Sequence, residues 1–184
     1  MRKVIFAINI TADGCCDHTK FNGDDELHEY FTQLMQDVDL LVYGRKTYEL
    51  MIPYWPEVAR SNSETKAINE FAKKFDSISK IVFSKSLDKT EDKHTRIVHA
   101  DLRDEILRLK QEGGGNILLG GVDIPSQLMK LGLVDEFYFL IHPIIAGAGA
   151  RLLDGISLEE NLQLKLLESR TLESGRVAHH YVRS

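Results

Sequence analysis

Two short apolar runs, each closed by glycine and each followed by a helical pattern, constrain the fold of this chain more than any other feature. Leu40-Leu41-Val42-Tyr43 stops at Gly44, and Ile117-Leu118-Leu119 stops at Gly120-Gly121. A strand with one wet face alternates apolar and polar residues, so a run without alternation belongs to a strand covered on both faces. A mostly parallel sheet flanked by helices on both faces supplies that cover. The same punctuation recurs along the chain. Val4 to Ile10 forms a first strand ended by a turn at Asp13-Gly14, Ile81-Val82-Phe83 a third, and Arg96 to Val98 a shorter one.

Helical periodicity fills the gaps. Leu27, Tyr30, Phe31, Leu34 and Met35 fall on one face. Ser61-x-x-Glu64 has the form of a capping box and predicts a helix buried through Ile68, Phe71, Ala72 and Phe75. Asp101 is placed to cap a helix carrying Leu102, Ile106 and Leu109, which stops at Gly113-Gly114-Gly115. Pro125 suits the first turn of a helix buried through Ile124, Leu128 and Leu131. A long strand is expected from Val134 to Ile145. Gln163 to Leu172 and Arg176 to Val182, joined at Ser174-Gly175, read as an antiparallel hairpin. The expected fold class is therefore α/β, with a mixed, mostly parallel sheet, helices on both faces and a C-terminal antiparallel hairpin, in one domain over residues 1–184.

Charge and cysteine usage narrow the function. The formal net charge is -5 with no basic block, which argues against nucleic-acid and anionic-membrane partners. The two cysteines, Cys15 and Cys16, are adjacent, a spacing that strains a disulfide. A reducing, cytoplasmic setting is expected, with no signal peptide and no membrane span. The seven histidines show no H-x-x-x-H spacing and no C-x-x-C accompanies them, so no metal site is expected.

Ligands of such sheets bind beyond the carboxyl ends of the strands. Three segments lie there. Gly44-Arg45-Lys46-Thr47 joins a backbone free to approach a ligand with a guanidinium and a hydroxyl. Ser84-Lys85-Ser86 offers two hydroxyls and an ammonium, and Gly120-Gly121 opens main-chain N–H groups at a helix start, through Val122, Asp123 and Ile124. Each alone is also an ordinary polar turn; together they suit a long, multiply phosphorylated ligand such as a dinucleotide with an extra phosphate. Neither G-x-G-x-x-G nor a P-loop occurs.

Gly44-Arg45-Lys46-Thr47-Tyr48-Glu49 resembles the Gly-Arg-x-Thr-(Trp/Tyr)-Glu signature of dihydrofolate reductases, and Ile81 to Ser84 and Ile117 to Gly121 resemble their later cofactor segments. The reductase domain of bacterial riboflavin-biosynthesis enzymes is more similar still. Its Ser-Leu-Asp-Gly is matched by Thr11-Ala12-Asp13-Gly14, and its Gly-Leu-Val-Asp-Glu, Pro and Gly-x-Gly by Gly132 to Glu136, Pro143 and Gly147-Ala148-Gly149. The ordered resemblance runs from about Lys3 to Val182. It implies a stand-alone, three-layer dihydrofolate-reductase-like domain, NADPH as cofactor and a homodimer. Arg45 and Ser84 would hold the 2′-phosphate end. Thr47 and the main-chain N–H groups near Gly121 would hold the pyrophosphate, and Gly44, Lys85 and Gly120 are counted among the cofactor-binding residues. Asn9 and Ile10 would line the nicotinamide.

The substrate side departs from both families. The pterin-binding carboxylate of dihydrofolate reductases falls on or near His28, with Glu26 the other pocket candidate; Asp25 and Glu29 are expected to face solvent. No Arg stands between Ser61 and Lys80 to hold a folate glutamate tail, and Ala7 stands where the riboflavin reductases carry Lys. Two functions are therefore weighed. One is an NADPH-dependent reductase of a small pterin- or pyrimidine-like heterocycle, with His28 or Glu26 handling the proton. The other is a non-catalytic nucleotide- or ligand-binding protein on the same fold.

Overall fold

The computed structural model describes residues 1–184. Its strands are β1 (Val4–Thr11), β2 (Val38–Gly44), β3 (Ser79–Phe83), β4 (Thr95–Val98), β5 (Asn116–Leu119), β6 (Glu136–His142), β7 (Leu164–Thr171) and β8 (Val177–Arg183). They form a mixed, mostly parallel sheet in the order β4-β3-β2-β5-β1-β6-β8-β7. Its helices are α1 (Asp25–Leu34), α2 (Arg45–Met51), α3 (Trp55–Ser61), α4 (Lys66–Ser77), α5 (Leu102–Gln111) and α6 (Asp123–Lys130), with a single 3-10 turn at His18–Lys20. The α/β class, the mixed sheet and the closing hairpin agree with the sequence reading. The chain divides into two compact units, one made of Met1–Arg2 and Gly23–Leu118, the other of Lys3–Asn22 and Leu119–Ser184.

In the first unit β2, β3 and β4 run parallel. Leu40, Leu41, Val42 and Tyr43 are all buried, so both faces of β2 are covered, as the unbroken apolar run requires. Phe71, Ala72 and Phe75 of α4 are buried, and Phe71 packs against Trp55 with ring centroids 4.5 Å apart. Asp101 caps α5 by accepting from the Asp104 N–H. Lys80, fully buried on β3, donates to the carbonyls of Asp76 and Ile78 at the end of α4, which satisfies its ammonium.

In the second unit β1 and β6 are parallel, and β6, β8 and β7 follow antiparallel. Asp135 fixes the start of this pairing: its Oδ2 accepts from Val4 N–H, and its own N–H donates to the Val4 carbonyl. Glu136 beside it is buried and accepts from Lys3, Tyr138 and His180. Burial raises and these bonds lower its carboxyl pKa; the bonds prevail and the net direction is down.

Four local expectations are corrected. The cap of α4 is Thr65, which accepts from the Ile68 N–H, while Ser61 ends a separate helix, α3, that stops at left-handed Asn62. The hydroxyl in the Ser61-x-x-Glu64 pattern is bonded instead to Ser63 Oγ at 3.0 Å and, more weakly, to the Val58 carbonyl at 3.5 Å. Ile68 is only half-buried, and α4 buries Ala67 and Asn69 instead. Leu131 is 44% exposed because α6 ends at Lys130, and Pro125, Ser126 and Met129 take its place in the core. The strand expected over Val134 to Ile145 ends at His142, since Pro143 has no N–H to continue a ladder.

Candidate functional site

The first unit brings one group of candidate residues together by strand register. Gly44 of β2 pairs with Phe83 of β3, and Phe83 pairs with Val98 of β4. Arg45, Ser84 and His99 are therefore the first residues beyond the ends of three neighbouring strands. Arg45 is exposed and forms an ion pair with Glu49 one helical turn on, at 3.2 Å. Such an exposed pair contributes only about 0.3–0.5 kcal/mol, so a phosphate can displace Glu49 at small cost. Thr47 is half-buried in the same helix, and Gly44 provides no side-chain cap to the first turn of α2.

Ser84 is held rather than loose. Its Oγ accepts from the N–H groups of Leu87 (2.9 Å) and Ser86 (3.2 Å), which closes the loop and leaves the hydroxyl hydrogen as a donor. Lys85 is exposed beside it. His99 was missed by the sequence reading, since a lone histidine after a short strand carries no signal. Its Nδ1 lies 2.6 Å from the Ser84 carbonyl, an acceptor, so Nδ1 carries the proton and Nε2 faces outward.

α1 places the two acid–base candidates. Asp24 caps the helix by accepting from the Leu27 N–H at 3.0 Å. Asp25 and Glu29 are exposed, as expected, and Glu26 is half-buried in the first turn. His28 is buried, with its ring edge-on to Trp55 and Phe71 and Nδ1 2.6 Å from the Asp24 carbonyl. Its Nδ1 proton is thereby spent on the helix start, which leaves Nε2 as its only chemical handle.

The second unit carries its own group of candidate residues. Gly121 has φ +80°, a left-handed conformation that a side chain resists, so the turn from β5 into α6 depends on glycine. Gly120, Gly121 and Val122 are half-buried, Ile124 is buried, and no side chain caps α6. Asp123 is exposed and accepts from Gln127 Nε2 at 3.2 Å. Asn9 and Ile10 are half-buried near the end of β1. Beyond them Asp13 ties two motifs together. It accepts from Thr11 Oγ1 and from the N–H groups of Ala146 (3.0 Å) and Gly147 (2.9 Å), and Arg151 bonds its carbonyl. The Thr11 hydroxyl and these N–H groups hold the Asp13 carboxyl well below the usual carboxylate range.

Cys15 is buried and Cys16 half-buried; burial first, and then Cys15 beside it, pushes the Cys16 thiol up to about 11. A thiol in that state is a poor nucleophile.

A family model for the RibD C-terminal domain matches residues 2–178. The chain belongs to the RibD C-terminal domain family. It is similar over its whole length to YyaP, an uncharacterized protein of Bacillus subtilis (strain 168), with 28% identity over 186 residues covering 98% of this chain and 95% of YyaP. Among solved structures it resembles the diaminohydroxyphosphoribosylaminopyrimidine deaminase/5-amino-6-(5-phosphoribosylamino)uracil reductase of Thermotoga maritima. That match has a TM-score of 0.69 and 17% identity, over 100% of this chain and 57% of that one. It also resembles dihydrofolate reductase from Enterococcus faecalis in complex with NADP(H), with a TM-score of 0.64 and 14% identity over 99% and 96% of the two chains. These likenesses establish a dihydrofolate-reductase-like fold.

Proposed function

We propose that this RibD C-terminal domain protein is an NADPH-dependent oxidoreductase acting on a small pterin- or pyrimidine-like heterocycle. The observation that carries the reading is the register of β2, β3 and β4, which sets Arg45, Ser84 and His99 side by side with Lys85. A guanidinium, a hydroxyl donor, an ammonium and an imidazole suit one phosphate monoester. That donor set fits the 2′-phosphate of NADPH, for which the Glu49 carboxylate paired with Arg45 would give way.

Bound NADPH supplies a hydride. The chain's own residues bind and orient. Arg45, Ser84, Lys85 and His99 take the 2′-phosphate, and Thr47 with Gly44 and the main chain of Gly120 to Ile124 takes the pyrophosphate. Asn9 and Ile10 border the nicotinamide. Glu26 and the Nε2 atom of His28 are the groups proposed to hold or move the substrate proton. The protein is further proposed to work in the cytoplasm, as a homodimer and without nucleic-acid or membrane partners; no helix is long and apolar enough to cross a membrane.

Titration calorimetry of the purified protein with NADPH and NADH tests the reading. NADPH is expected to bind more tightly, and Arg45→Ala to weaken NADPH more than NADH by about 1.5–3 kcal/mol, the worth of a hydrogen bond to a charged group. Equal affinities for the two cofactors, or no binding of either, overturn it.

A further inference from the structure

A continuous chain of polar side chains, buried at Arg176 and His142 and half-buried at Asn9, runs through the second unit to the end of β1. Arg176, buried at the start of β8, donates its Nε–H to Nδ1 of His142 at 3.2 Å. His142, 1% exposed at the end of β6, has Nε2 3.0 Å from Oδ1 of Asn9. Phe21 stacks on the imidazole with centroids 4.3 Å apart, and an Arg176 terminal nitrogen donates to the Asn22 carbonyl at 3.2 Å. The register explains the contact: Asn9 pairs with Leu140 and Thr11 with His142, so Asn9 and His142 share a face as diagonal neighbours.

Proton counting along this chain has one solution. A guanidinium is always protonated and can only donate, so Nδ1 of His142 must present its lone pair. A neutral imidazole then carries its hydrogen on Nε2 and donates it to Asn9. The atom of Asn9 that faces His142 is therefore the carbonyl oxygen, and the NH2 group points the other way. In a side chain whose two ends are otherwise interchangeable, the orientation is fixed from two residues away.

We infer that the Arg176–His142 pair positions Asn9, so that its NH2 group donates to a carbonyl oxygen of the ring bound at the end of β1. This rests on the cofactor reading above, in which that ring is nicotinamide and the acceptor its carboxamide oxygen. His142 and Arg176 touch no ligand; they are positioning residues for Asn9, which does. A half-buried amide held in one orientation loses no rotational freedom on binding, so the contact favours affinity for the nicotinamide half alone.

The experiment compares NADPH with adenosine 2′,5′-bisphosphate, which carries the phosphate end and lacks the ring. Asn9→Asp keeps an acceptor for His142 and removes the donor; His142→Phe keeps a ring against Phe21 and releases the amide. Each is expected to weaken NADPH about tenfold, the size of one neutral hydrogen bond, and to leave the bisphosphate unchanged. Variants that weaken both ligands alike, or neither, overturn the inference. Should His142→Phe not fold, Asn9→Asp alone decides. In the ligand-free protein, long-range 1H–15N spectra of His142 are expected to show the Nε2–H tautomer, and an Nδ1–H tautomer overturns it without reference to any cofactor. An unmodified protein that binds the bisphosphate as tightly as NADPH sinks the inference and spares the cofactor reading. One that binds neither removes both.

Discussion

Single atoms decide the loop that closes the second unit. Gly149 has φ +132°, and a β-carbon there would lie 2.5 Å from Cys15 Sγ and 3.1 Å from Asp17 Cβ. Both the backbone and the space exclude a side chain. Gly149→Ala is expected to lower stability by about 1–3 kcal/mol, from strain alone, read as a reduced denaturation midpoint with unchanged slope. Ala at Gly147 meets no neighbouring atom and faces only its φ of +73°, so its cost is expected to be smaller. The Gly147-Ala148-Gly149 spacing was visible in the sequence, but not its cause. That cause is Asp13, whose carboxylate gathers Ala146 and Gly147 from 133 and 134 residues away. Proximity of that kind has no local signature, and His99 beside Ser84 escaped notice for the same reason.

At the level of elements the apolar runs and Gly stops were reliable, and hydroxyl caps were not. Strand positions followed the sequence pattern because burial on both faces forbids polar residues from Leu40 to Tyr43 in β2 and from Ile117 to Leu119 in β5. Ser61 and Thr65 both stand near a helix start, and only tertiary packing selects between them. Thr65→Ala is expected to cost about 1 kcal/mol, whereas Ser61→Ala should stay within about 0.5 kcal/mol; paired thermal melts decide it. Between β4 and α5, Glu105 accepts from Arg108 (2.9 Å) and from Arg96 (2.6 Å). The Arg108 hydrogen bonds, then Arg96, lower its pKa from 4.5 to about 2 despite burial. A carboxyl depressed on folding stabilises above its unfolded pKa and loses that contribution as pH falls through the folded one. The melting temperature is therefore expected to drop between about pH 5 and pH 2. Glu105→Gln, less stable at neutral pH, should show a shallower drop.

For the whole molecule, the fold class was legible because it rests on the alternation of strands and helices along the chain. The substrate side was not, because α1 presents several polar residues and the sequence could not show that Nδ1 of His28 is spent on Asp24. The proposed dimer belongs to this scale as well. β7 ends the sheet, is exposed along nearly its whole length, and carries Leu166 (49% exposed) and Leu167 (51%). Such an edge is a template for pairing unless it is covered. Light scattering is expected to give twice the chain mass, and Leu166→Lys to shift it toward the monomer; monomer mass for the unmodified protein across concentrations counts against a dimer.

The clasp between Val4 and Asp135 spans 131 residues. At about 5–20 residues per second, the ribosome needs on the order of ten seconds to deliver that distance. Throughout that interval the apolar segment Val4 to Ile8 has no β6 to lie against. It is rich in β-branched residues, and its native pairing is about as non-local as the chain allows, a topology that folds slowly. Nascent copies on neighbouring ribosomes thus hold the same unpaired segment exposed together until translation passes Glu136.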